Sequence, residues 1–314
     1  VHLNEILQIL EKENIKYLLE VSKTLDEQDD FFPASTKKLV EKGIYFIQIP
    51  APSYEIKITR SVVFCTQSLG THNHEIIVEN PQLVHYVLTG YFQEKKQPII
   101  HPTAQISADA KIGNRVNIGP YSIIGNCIIG DNVDIRSHVV IEDKVTIGDN
   151  SIIDSSTVIG AAGLAWIWDD HGNRIIQPQL GGVIIGNDCI LGTDITVVRG
   201  SLSEDTVIGF YSVMAHGTKI GHGAQIGSHV HMANNVSIAG NAVIGDSSFL
   251  GSAAVVSSNI IIPNNTIIGA AAMVNKNFDE EYLTLAGVPA TIIKRNNFES
   301  KPHGAPKPFK KSEK

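Results

Sequence analysis

The chain is poor in residues that staple or decorate a fold, with three cysteines, three methionines and two tryptophans in 314 residues. Cys65, Cys127 and Cys189 stand far apart, which excludes a disulfide framework or a zinc pattern and leaves reduced thiols in packed positions. No apolar run approaches the ~20 residues of a membrane helix. The first residues also lack a charged segment followed by a continuous apolar stretch, so a cytoplasmic protein without membrane insertion is expected. Basic charge is scarce: 25 Lys and Arg against 32 Asp and Glu give a net charge of −7. A nucleic-acid partner is therefore not expected, because phosphate binding needs a concentrated basic surface. The one Lys-rich run, SKPHGAPKPFKKSEK, lies in the tail 299–314, whose composition reads as disordered.

What the chain does have is a period of six. Every sixth residue from Ile208 is apolar: Ile208, Met214, Ile220, Ile226, Met232, Ile238, Ile244, Leu250, Val256, Ile262, Ile268 and Val274. The residue after each is small in almost every case, and the residue two before is small or β-branched. Side chains alternate along a strand, so positions i−2 and i share the inner face, while i−1 and the turn residues i+1 to i+3 face outward. Three such hexads make a triangular coil of eighteen residues. The expected fold class is β, a left-handed parallel β-helix, an exception to right-handed crossovers. An earlier run through Ile106, Ile112 and Ile118, then Ile129 to Ile159 with one residue dropped, makes the first coils.

Residues 1–98 lack the hexad and read as a small α/β domain. It has a helical pattern at Leu3, Ile6, Leu7 and Leu10, strands at GIYFIQI and RSVVFC, and a second helix within Asn80 to Phe92. The β-helix spans 99–278, interrupted at 161–182 by AAGLAWIWDDHGNRIIQPQLGG, which reads as a protruding loop. Loops of that length in a compact repeat serve function or an interface, and this one holds both tryptophans. Residues 279–298 form a cap segment in a loop.

Three stretches carry a family resemblance: HGNRIIQPQLGGVIIGNDCILG, VVRGSLSEDTVIG and KIGHGAQIG. They are similar to the UDP-3-O-acyl-glucosamine N-acyltransferases of the lipid A pathway, which also place a small domain before the helix. A second branch, the acetyl-CoA-dependent sugar O- and N-acetyltransferases, resembles HGAQIGSHVHMANNVSIAGNAVIG and LAGVPATIIK. Both branches of hexapeptide-repeat acyltransferases imply a catalytic histidine at His222. The family carboxylate seven residues earlier is Ala215 here, and the acidic residue after the histidine is Gly223. What orients His222 is left unassigned.

The histidines of MAHGTKIGHGAQIGSHVHMANN all look outward in the hexad register. His216 and His222 fall at i+2 on successive corners, His229 at i+3 and His231 at i−1. One side of the coil is on the order of 18 Å, so His216 and His222 can share a ligand only across a subunit interface. The resemblance implies a homotrimer with sites between subunits. It also raises γ-type carbonic anhydrases, which hold zinc on this fold, but their close pair is five residues apart and His216 and His222 are six apart, so no metal is expected. An imidazole ordinarily titrates near neutrality, which suits His222 as general base. Gly240 lies one coil beyond, where a bare backbone N–H suits an oxyanion donor. His216, His231 and Asn173 are candidate sugar or acyl contacts, and His229 reads as surface. By resemblance Phe46 and Tyr54 stack the nucleotide base. Lys276 and the turn Gly287, Val288, Pro289 and Ala290 mark the donor end.

The expected function is acyl transfer from acyl-CoA to the amino group of a UDP- or dTDP-linked amino sugar for surface glycan or lipopolysaccharide synthesis. The lipid A enzyme, with acyl carrier protein as donor, is the second reading. A non-catalytic β-helix scaffold or nucleotide-sugar sensor is the third.

Overall fold

The computed structural model describes residues 1–47, 57–93 and 97–297. The chain divides into two compact units, Val1–Lys96 and Gln97 onward.

In the first unit the apolar spacing at Leu3, Ile6 and Leu10 builds helix α1 (Leu3–Lys12), and all three side chains are buried. Asn80 caps helix α2 (Pro81–Gly90) by accepting from the Leu83 N–H at 3.1 Å, as a short polar side chain does at a helix start. Five strands form one sheet: β1 (Leu18–Glu20), β2 (Phe32–Pro33), β3 (Gly43–Phe46), β4 (Val62–Cys65) and β5 (His74–Ile77), in the order β1-β5-β4-β3-β2. Strand β4 is buried along its whole length, which is why VVFC is an unbroken apolar run rather than an alternating one.

In the second unit the hexads close into a left-handed parallel β-helix with three flat faces. Face I runs from Lys111–Ile112 to Ile261–Ile262. Face II runs from Asn117–Ile118 to Ile267–Ile268 and continues into Leu283–Ala286 and Thr291–Arg295. Face III runs from Gln105–Ile106 to Met273–Val274. The pairings Lys219↔Ser237 and Ile220↔Ile238 show the eighteen-residue coil. Every member of the inward series from Ile208 to Val274 is buried, and each such side chain contributes about 1.5–3 kcal/mol of apolar burial. The i−2 series fills the corners of the core. Its hydroxyls do not go unpaired: Ser212 Oγ donates to the Gly227 carbonyl at 3.0 Å and accepts from the Val230 N–H at 3.1 Å.

Two details go beyond the sequence expectation. The turn residue at i+3 has positive φ in coil after coil, and outside glycine it is Asn235, Asn241, Ser247, Ala253 or His229 among others. Glycine is instead common at i+1 because coils approach there: a Cβ at Gly209 would stand 2.6 Å from the backbone of Gly227 and Ser228. The segment after Val274 is also more ordered than a loop. Leu283–Ala286 joins face II in parallel and Thr291–Arg295 pairs back on it antiparallel.

The inward series has two interruptions between Ile159 and Ile208. The first, 161–182, holds a hairpin: Trp166–Trp168 pairs antiparallel with Arg174–Ile176. The Arg174 guanidinium lies 5.4 Å and 5.3 Å from the Trp166 and Trp168 rings. The second falls between Val197 and Ile208, which are eleven residues apart where the period demands six. Both residues are buried, so the additional residues bulge outward from the corner between faces III and I.

Candidate active site

That corner carries the candidate site. Its successive coils bring Gly160, then the 199–205 bulge, His222, Gly240 and Lys276 into one column, since His222, Gly240 and Lys276 differ by whole eighteen-residue coils. At the ordinary strand spacing Lys276 stands three coils, or about 14 Å, from His222.

The His222 ring is held from two sides. Its Nδ1 lies 3.0 Å from Ser201 Oγ in the bulge. Its Nε2 edge lies over the bare Cα of Gly240: a Cβ there would collide with Nε2 and stand 2.7 Å from Cε1 and 2.8 Å from Cδ2. The absent side chain at 240 therefore gives the imidazole its seat. Glu204 completes the bulge by accepting from the Ser201 N–H at 2.7 Å and the Leu202 N–H at 3.2 Å. Its stem crosses Gly223, where a Cβ would stand 3.3 Å from Glu204 Cγ. Backbone N–H groups of Glu204 itself, Ser201 and Leu202, helped by the neighbouring imidazole of His222, hold the Glu204 carboxyl below the usual carboxylate range. The sequence reading missed Ser201 and Glu204, although the eleven-residue interval from Val197 to Ile208 marks their position.

The hairpin supports the bulge. The Leu180 N–H donates to the Ser201 carbonyl at 2.9 Å, and the Gly181 N–H to the Gly200 carbonyl at 3.1 Å. Asp205 Oδ1 accepts from the Gly182 N–H at 2.6 Å. The Arg199 guanidinium turns back to the Gly160 and Asp143 carbonyls at 2.8 and 2.7 Å.

The other sequence candidates lie elsewhere. His216 occupies the corner between faces II and III, where its Nδ1 accepts from the Thr193 N–H at 2.9 Å. An imidazole nitrogen that accepts from a backbone N–H carries no proton, so His216 Nδ1 is taken up in capping Thr193. His231 is on face II, edge-on to Phe249 at 5.2 Å, and burial pushes its imidazole below the ordinary histidine range. His229 is at the corner between faces I and II, stacked on Tyr211 at 5.1 Å. Asn173 is at the hairpin turn, bonded through its N–H and Nδ2 to Asp169 at 2.8 and 3.0 Å. The turn 287–290 is tied to the last strand of face III, with Met273 donating to the Gly287 carbonyl at 3.0 Å and accepting from the Ala290 N–H at 2.7 Å. Lys276 Nζ is 5.5 Å from the Phe278 ring. In the first unit Phe46 is partly buried against the core, 5.2 Å from His85 and 6.3 Å from Tyr86 by ring centroids. Tyr54 lies outside the described residues.

Comparison with known proteins agrees with this architecture. The bacterial transferase hexapeptide (six repeats) family matches residues 109–143. UDP-3-O-acylglucosamine N-acyltransferase of Polynucleobacter asymbioticus is 28% identical over 188 residues, covering 51% of this chain and 53% of that protein. The Coxiella burnetii protein of the same name is 30% identical over 173 residues, covering 46% of this chain and 50% of its own. The chain thus spans about half the length of the curated relatives it matches. Among solved structures, LpxA from Acinetobacter baumannii is 29% identical with a TM-score of 0.55, covering 62% of this chain and 72% of its own. The UDP-N-acetylglucosamine O-acyltransferase from Moraxella catarrhalis is 29% identical with a TM-score of 0.56, covering 61% and 72%.

Repeat, handedness and matched family together define a hexapeptide-repeat protein of the left-handed β-helix class. Within that class the chain resembles UDP-3-O-acylglucosamine N-acyltransferase. Among the described residues no helix is long and apolar enough to cross a membrane.

Proposed function

We propose that this protein is an acyltransferase that moves an acyl group from a thioester to the amino group of a UDP-linked glucosamine. The carrying observation is the paired restraint on His222, with Nδ1 on Ser201 and Nε2 over Gly240. A neutral imidazole held this way has one nitrogen free to work as a base. As the amine nitrogen attacks the thioester carbonyl carbon, Nε2 takes the amine proton and the C–N bond forms. The tetrahedral oxygen draws on the Gly240 N–H. The C–S bond then breaks, and the leaving thiolate takes the proton back from the imidazolium.

The relatives' names favour a 3-O-acylated UDP-glucosamine acceptor over a generic amino sugar. The donor that accompanies this resemblance is a thioester on acyl carrier protein, which displaces acyl-CoA as the first choice. Homotrimeric assembly, with His222 beside a neighbouring subunit, belongs to the same proposal. Its support is the exposed apolar hairpin: Leu164 is 89% exposed and Ile167 68%, areas that a neighbouring copy would cover.

The test is direct. The protein is incubated with 3-hydroxyacyl carrier protein and UDP-3-O-acyl-glucosamine, and separately with acetyl-CoA and a panel of UDP- and dTDP-amino sugars, with thiol release and product mass as readouts. Turnover confined to the carrier-protein arm is expected. Turnover only with acetyl-CoA would restore the CoA reading, and none in either arm would favour the scaffold.

A further inference from the structure

We propose that Ser201 and Glu204 are positioning residues that replace the missing family carboxylate and set the working tautomer of His222. The inference rests on the acyl-transfer reading of His222 and extends it to residues that reading does not use. Neither Ala215 nor Gly223 can orient an imidazole. The structure fills that role from another part of the chain, the outward bulge between Val197 and Ile208.

The geometry is specific. A histidine acts as base through Nε2 only if Nδ1 carries the proton, and that proton needs an acceptor. Ser201 Oγ is that acceptor at 3.0 Å. A hydroxyl could equally donate to Nδ1, so something must bias the pair. Glu204 supplies the bias: its carboxylate binds the N–H groups of Ser201 and Leu202 and so fixes the loop that carries the hydroxyl, and its negative charge, which interacts with the His222 ring, favours a proton on the nitrogen that faces the bulge. Gly223 leaves room for this path: a Cβ at its φ of +66° would collide with Asn241 Oδ1 and stand 3.3 Å from Glu204 Cγ. The other charged groups around the bulge are committed elsewhere: Arg199 to the Gly160 and Asp143 carbonyls, and Asp205 to the Gly182 N–H. The next coil presents uncharged Gly240 and Asn241 to His222, with the Asn241 N–H donating to the His222 carbonyl at 2.8 Å.

The experiment has two arms on the full chain. In the first, ring nitrogen-15 spectra of labelled histidine, with His222 assigned by difference from H222N, report its tautomer without any substrate. The unmodified protein is expected to show Nδ1–H, and Ser201→Ala is expected to show Nε2–H, the ordinary preference of a free imidazole. In the second arm, S201A should lower kcat by on the order of 10–10²-fold, less than loss of the base itself, with KM unchanged and with S201T restoring most of the rate. Glu204→Gln should loosen the hold on the Ser201 and Leu202 N–H groups, so the His222 signal is expected to shift towards Nε2–H and kcat to fall in the same direction as in S201A. Finding Nε2–H in the unmodified protein overturns the inference, as does an S201A variant with normal kcat or an E204Q variant that keeps Nδ1–H and a normal kcat. If H222A is inactive while S201A is normal, the inference alone falls. If H222A turns over normally, the base assignment falls, and the tautomer arm still decides whether Ser201 sets the ring.

Discussion

His222 Nδ1 and Ser201 Oγ lie 3.0 Å apart although twenty-one residues separate them in the chain. The contact joins a regular corner of the β-helix to an irregular one. It exists because one coil carries additional residues exactly where the next coil places its imidazole, so an interruption of the repeat reaches a residue that obeys it.

Replacing His222 by Ala or Asn should lower kcat by on the order of 10²–10⁴-fold, the usual cost of losing a general base. Thiol release under saturating substrate measures it. A rate near that of the unmodified protein would remove His222 from the mechanism.

Gly240→Ala adds one carbon where the His222 ring now sits, 2.7 Å from Cε1. The ring has to leave its seat, so kcat should fall by at least about tenfold while the helix stays folded. Activity alongside thermal melting separates the two effects, and an active, unshifted G240A protein would show that the ring does not depend on the bare Cα.

Leu250→Ala empties a fully buried position on face II. A loss of about 2–5 kcal/mol is expected from transfer and cavity terms together, read from denaturant unfolding of the full chain.

Burial pushes the Cys189 thiol up to about 11 from its ordinary 9.0. The folded state then holds its proton above pH 9.0 while the unfolded state loses it, so this contribution to stability is intact below that pH and declines as pH rises towards about 11. The thiol should accordingly resist a disulfide reagent at neutral pH and react once the chain is unfolded. Rapid labelling of the native protein at pH 7 would contradict the burial.

Trp166 and Trp168 are 50% and 55% exposed, with Ile167 between them on the other face of the hairpin. If the homotrimer proposed above uses this surface, W166S together with W168S should shift the assembly towards monomer in light scattering. An unchanged mass would place the interface elsewhere.

The hexads make most of the β-helix legible in the sequence, because a six-residue period fixes which side chains face inward regardless of what binds outside. Ile208 to Val274 are all inward as read. The corner positions of His216, His222 and His229 follow from the same register. The period could not give what departs from it. Ser201 and Glu204 sit in residues with no assigned phase, so their direction depends on how the bulge closes against Gly181 and Gly200. The hairpin was hidden for a related reason: WIW and RII are too short to distinguish strand from loop without seeing Arg174 lie over both tryptophans. His216 shows another limit, since the sequence cannot tell an exposed imidazole awaiting a ligand from one already capping Thr193.

The hairpin and the bulge are hydrogen-bonded to each other at Leu180–Ser201 and Gly181–Gly200, and that tie has a mechanical consequence. The base of the hairpin is the floor on which the Ser201 loop rests, so two backbone bonds connect the hairpin to the loop whose hydroxyl lies against His222 Nδ1. If Ser201 orients His222 as proposed, a ligand that moved the tryptophans would act on the imidazole without touching it.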